Sequence, residues 1–201
     1  MTRTEYTREK TIWMIVTPQI AILLISILWV FFFPKDNVSK YLNFNFQVIL
    51  EGFLTGLGLA LAGYGFYFFA KKTKKFYETI ELFEKVLSPT FKNLKLIDLF
   101  LLSFVSGFNE EVFFRGLLFP RIGLVLSSVA FGLLHFPGKK YWIYAIWATG
   151  SAALFAYLFF LTNSLWLPIT AHITNNFIGM VLLTRMAKGK KIQGLFLLFL
   201  Y

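Results

Sequence analysis

The chain has 201 residues, 57% hydrophobic and 20% aromatic, with 26 Phe, no Cys and a formal net charge of +10. That apolar share exceeds the roughly 45–50% of soluble domains. The alternation of a membrane barrel strand is missing, so the implied class is an all-α polytopic bundle. The absent cysteines exclude disulfides and thiolate metal sites. The positive charge lies in short loops beside apolar runs, which points to anionic lipid and not to nucleic acid.

The first apolar run, 11–33, follows Arg3, Arg8 and Lys10 and stops at Pro34. It is too long for the core of a signal peptide and no small-x-small cleavage site follows, so it predicts an uncleaved spanning helix. A second span covers about 47–70, with Gly52 and Gly56 four apart for close helix packing. Glu51 lies near its start and is expected at the interface. Lys71, Lys72, Lys74 and Lys75 end it.

Residues 76–87 mix Ile80, Leu82, Phe83, Val86 and Leu87 with Glu78, Glu81, Glu84 and Lys85, which predicts an amphipathic surface helix broken at Ser88-Pro89. A third span is expected over 96–119, with Asp98 at its wet end, and a turn at 120–123. A short fourth span covers 124–136, a fifth 141–161 and a sixth 165–184. The final run, 192–201, is short for a seventh. The expected organisation is therefore a single membrane domain over 1–201. It divides into two N-terminal spans (1–70), a basic loop with the amphipathic helix (71–94), a core (95–184) and a C-terminal tail or partial span (185–201). Six to seven spans put most of the Lys and Arg on one face, with only Lys35, Lys40 and Arg121 on the other. Positive charge marks the cytoplasmic side, so the N-terminus is expected inside.

Against this apolar background stand Glu110-Glu111-x-x-x-Arg115, His135 and His172, the last two being the chain's only histidines. An ionisable group at a bilayer centre costs roughly 2.5–3.5 kcal/mol on insertion scales, so three such segments imply polar groups that meet in space. Glu110, His135 and His172 fall about ten, twelve and eight residues from turns on one face. At ~1.5 Å rise per residue, they share a depth of roughly 12–18 Å. Glu111 and Arg115 are four apart, as an ion pair on a helix requires. His172 and Asn176 share a helix face. Either glutamate suits either role on spacing alone.

EEVFFR (110–115), FGLLH (131–135) and HITNN (172–176) resemble, in order, the EExxxR, FxxxH and HxxxN motifs of the CPBP family (CAAX protease and bacteriocin-processing, or Abi) of intramembrane proteases. The resemblance covers about 95–180. It implies a peptidase of the prokaryotic cell membrane acting on membrane-associated or secreted peptides or proteins. Glu110 would be the general base, helped by His135. His172 and Asn176 would donate to the oxyanion, and Glu111 with Arg115 would form a supporting ion pair. The preferred mechanism is metal-free, since the HExxH helix of soluble zinc peptidases is absent. Zinc held by Glu110, His135 and His172 is the alternative.

Intramembrane Glu, His and Arg also build proton relays, so a proton-coupled transporter or channel is the competing reading. An idle scaffold conferring bacteriocin immunity is a third. The charge bias sets the polar centre nearer the extracytoplasmic face, which conflicts with substrates arriving from the cytosol. Nothing in the sequence reports a lipid-binding groove, so prenylated substrates are not expected.

Overall fold

The computed structural model describes residues 6–73 and 76–190. Its helices are α1 (Arg8–Phe32), α2 (Phe46–Thr73), α3 (Tyr77–Glu81), α4 (Ser88–Phe91), α5 (Leu96–Glu111), α6 (Phe119–Leu134), α7 (Trp142–Thr162) and α8 (Trp166–Ala187), and no strand occurs among the described residues. Two π-type runs, Leu82–Leu87 and Val112–Leu118, join α3 to α4 and α5 to α6. Each contains the residue four positions before a proline, Lys85 before Pro89 and Gly116 before Pro120. A proline ring clashes with the carbonyl four residues back, and a widened turn relieves that clash. Ser88-Pro89 therefore does not break the helix, which continues to Phe91.

Among the described residues, four helical stretches are long and apolar enough to cross a membrane: Arg8–Phe32, Phe46–Thr73, Leu96–Leu134 and Lys139–Thr162. The expected six to seven are not confirmed, for two reasons. The third and fourth expected spans form one helical stretch of 39 residues. It reverses at Gly123, whose φ of +76° lies outside the helical region. A straight helix would separate Phe114 from Phe131 by about 25 Å, yet their rings pack 5.0 Å apart. Beyond the reversal too few residues remain to span by themselves. The sixth expected span, α8, has the length but carries His172, Thr174, Asn175 and Asn176 through its middle, which lowers its apolar share. The run 192–201 lies outside the described residues.

The bundle inverts the pattern of a soluble protein. On α1, Trp13, Leu24, Ile27, Phe31 and Phe32 face outward, and the buried residues are Thr11, Gln19 and Ser26. Lipid solvates the apolar side while hydrogen bonds and close packing hold the inner side. The Arg8 guanidinium donates to both Asp98 oxygens at 2.8 and 2.6 Å, and the Thr11 hydroxyl donates to the Thr90 carbonyl at 2.9 Å. Asp98 is accordingly buried against Arg8 rather than left at a wet end. On α2, a Cβ at Gly52 would meet the Leu167 carbonyl and Thr170, and one at Gly56 the Ala171 carbonyl and Thr174. The two glycines let the α8 backbone come against α2, and α8 carries His172.

The basic residues gather at one end. Lys71 pairs with Glu84 at 2.7 Å, Lys140 with Glu81 at 2.6 Å, and Asn93 donates to the Tyr6 carbonyl at 2.7 Å. The opposite end is tied through Asp36, which accepts from Trp29 Nε1 at 2.8 Å and from Arg121 at 2.8 and 3.0 Å. The Trp29 hydrogen bond, opposed by partial desolvation and helped by Arg121, holds the Asp36 carboxyl below its ordinary value. A depressed carboxyl contributes stability above its unfolded value and loses it as pH falls through the folded value. Asp36→Asn should therefore lower the thermal midpoint at neutral pH. That difference should close as the pH is taken below about 4, where the wild-type carboxyl also loses its charge. A gap that persists unchanged in acid would show that the carboxylate charge is not what ties this end.

Candidate active site

Glu110 and Glu111 are the last two residues of α5, and successive helix positions point about 100° apart. They consequently face different partners. Glu110 Oε1 accepts from Gln19 Nε2 at 2.6 Å, while Glu111 Oε1 accepts from Arg115 at 2.8 Å and from His172 Nδ1 at 2.7 Å. Glu110 Oε2 has no hydrogen-bond partner among the described residues and lies 3.8 Å from the Nε2 atoms of both His135 and His172. That separation is too long for a direct hydrogen bond and short enough for one water to contact both atoms. The reversal at Gly123 makes this meeting possible. His135 follows Glu110 by 25 residues, and a straight helix would carry it about 37 Å away.

Each imidazole is oriented from behind. His135 Nδ1 lies 2.9 Å from the Phe131 carbonyl, which can only accept, so Nδ1 carries the proton and Nε2 faces Glu110. The ring stacks on Phe131 at 4.2 Å. His172 Nδ1 likewise donates to Glu111, and its ring sits between Phe131 and Phe155 at 5.8 and 5.5 Å. The His172 ring thus has one carboxylate at each nitrogen. Asn176, one turn further along α8, donates to the Ser106 hydroxyl at 3.1 Å.

Arg115 is 1% exposed, donates a second hydrogen bond to the Ala152 carbonyl at 2.8 Å, and has Phe131 and Phe155 rings 5.2 and 5.5 Å from its guanidinium carbon. It holds Glu111 behind His172. Neither Arg115 nor Glu111 borders the cavity in front, whereas Glu110, His135, His172, Asn176 and Gln19 all do.

That cavity, of about 440 Å³, has walls rich in aromatic residues, including Tyr64, Phe66, Tyr67, Phe83 and Trp147. It runs from the Glu110 cluster to the underside of the helical segment 77–91 at the basic end. The expected surface helix is in part a roof, with Leu82 buried and Thr79, Phe83, Leu87 and Phe91 lining the cavity. Among the described residues, no three His, Asp or Glu side chains are arranged to hold a metal ion. Glu110, His135 and His172, the donors of the zinc alternative, are not among such groups.

Residues 92–178 match the family model of type II CAAX prenyl endopeptidases, Rce1-like. That model is one of the CPBP family, whose motifs the sequence resembles over this segment. The uncharacterized protein YpbD of Bacillus subtilis (strain 168) is 37% identical over 71 residues, covering 35% of this chain and 38% of YpbD. No solved structure matches. All three motifs, 110–115, 131–135 and 172–176, fall inside the CPBP match, and the match to a membrane protease family together with the apolar helices points to an integral membrane protein. Gln19 and the roof 77–91 fall outside it. Gln19 was legible only as an amide in an apolar run, and Ser106 only as a hydroxyl four residues before Glu110.

Proposed function

We propose that this chain is an intramembrane endopeptidase in which Glu110 and two histidines activate water without a metal. The observation that carries this reading is the unpartnered Glu110 oxygen, 3.8 Å from two imidazole nitrogens, at the inner end of a cavity. Water held against Glu110 Oε2 gives up a proton to that carboxylate as its oxygen attacks the peptide carbonyl. The oxyanion is met by the Asn176 amide and by His172. With Nδ1–H committed to Glu111, His172 offers a donor at Nε2 only as imidazolium, and Glu111 balances that charge. The proton on Glu110 then passes to the departing amide nitrogen, directly or through His135 Nε2.

The aromatic cavity supports an apolar substrate segment, and the family description names prenyl substrates. The sequence offered no sign of such a groove because its walls come from seven separate helical segments. Proteomics of membrane and secreted peptides, comparing wild type with Glu110→Gln, tests the reading. Uncut precursors should accumulate in the variant, and indistinguishable peptide profiles would refute it. A quenched CAAX-type peptide with and without a farnesyl group tests the substrate class.

Substrate entry follows from the cavity's direction. It runs from the polar centre toward the basic end, so under the positive-inside rule peptides enter from the cytoplasm. On this reading the charge bias and cytosolic substrates are compatible, because shallow depth from one face does not decide the face of entry. Cysteines introduced at Asn163 and Lys139 should label from outside and from inside the cell, respectively. The reverse pattern would place entry on the other side.

A further inference from the structure

We propose that Gln19 is a positioning residue for Glu110, its amide selecting which carboxylate oxygen meets the water. This rests on the reading of Glu110 as the base. Gln19 is 5% exposed on the inner side of α1, borders the cavity, and donates from Nε2 to Glu110 Oε1 at 2.6 Å. That bond fixes the rotation of the carboxylate and leaves Oε2 toward both imidazoles. The Gln19 backbone is itself gripped, its carbonyl accepting from Asn109 Nδ2 at 3.4 Å.

An amide suits this position for a chemical reason. Carboxylate needs a donor beside Oε1, whereas a carboxylic acid can present either oxygen or its hydroxyl. An amide carries a donor and an acceptor on one plane, and a half-turn exchanges them. Gln19 Oε1, buried and without a hydrogen-bond partner among the described residues, is the second half of that pair. One side chain therefore serves Glu110 before and after it takes the proton. Gln19 itself never touches the reacting atoms. Its location on α1 puts a determinant of the chemistry outside the 92–178 match.

Gln19→Met keeps length and volume while removing the amide. Kinetics on the farnesylated quenched peptide, or on the peptide that accumulates with Glu110→Gln if the former is uncut, should show kcat reduced about tenfold or more. Small misplacements of catalytic groups cost up to ~100-fold. KM should stay within about twofold. In protein carrying ¹³C-glutamate, the infrared carboxylate band lost in Glu110→Gln should shift in Gln19→Met. A role confined to anchoring α1 would lower thermal stability and leave kcat of the folded protein unchanged. An unmoved band, or a moved band with kcat within twofold of wild type, overturns the proposal. Failure of the underlying reading is separate: Glu110→Gln would then cleave normally, whereas failure of Gln19 alone leaves Glu110→Gln inactive and Gln19→Met normal.

Discussion

Glu110→Gln is expected to reduce peptide cleavage by roughly 10²–10⁴-fold, the range for loss of a general acid–base group, with the folded state retained. The glutamine can still accept from Gln19 Nε2 at the same oxygen, so the tie between α1 and α5 survives. What it loses is the ability of the second position to take a proton between His135 and His172. Glu111→Gln provides the contrast, because its carboxylate is enclosed by Arg115 and His172 and faces no cavity. That variant should lose stability as well as activity. Thermal unfolding in detergent beside the cleavage assay separates the two. If Glu111→Gln proved stable and inactive while Glu110→Gln cleaved normally, the roles of the adjacent glutamates would be interchanged.

Arg115→Leu should be the most damaging single change to the fold, costing about 3–5 kcal/mol, as expected when one partner of a buried ion pair is removed. The Glu111 carboxylate would keep its His172 partner and lose its compensating charge. The Ala152 carbonyl on α7 would lose its donor, and the space between Phe131 and Phe155 its filler. Arg115→Lys should recover little, since an ammonium on a flexible stem does not reproduce a planar fork that reaches Glu111 and Ala152 at once. Replacing Glu111 and Arg115 together by leucine should restore much of the stability and none of the activity, because His172 would then lack its orienting carboxylate. A reversible unfolding assay on the three variants measures the coupling. Full stability of Arg115→Leu would mean that Glu111 is not charged in the folded protein.

Much of this site was legible from residue types and spacing because burying charge in an apolar span is costly enough to be informative. Glu110, Glu111, Arg115, His135 and His172 stand out for that reason, Asn176 by its place one turn after His172, and they do come together. The four-residue spacing of Gly52 and Gly56 likewise announced a close helix contact. The span count is left unconfirmed where hydropathy and topology part company. A reversal at one glycine needs no polar loop, and α8 is polar in the middle because the site is there. The second partner of Glu111 was invisible, since an i,i+4 pairing with Arg115 is local and a contact with residue 172 is not. The roof over the cavity was read as a surface helix because amphipathicity says that one side is apolar, and not what covers it.

The floor, roof and far wall of the cavity are supplied by different parts of the chain. His135, His172 and Glu110 come from the 92–178 segment, while Tyr64, Tyr67 and Phe83 come from before it. Excised, the matched segment would keep its reactive groups and stand open to bilayer on one flank. Chemistry and selectivity are thus divided along the polypeptide. Exchanging the first ninety residues for those of a relative is the way to alter which peptides are cut while leaving the cutting itself alone.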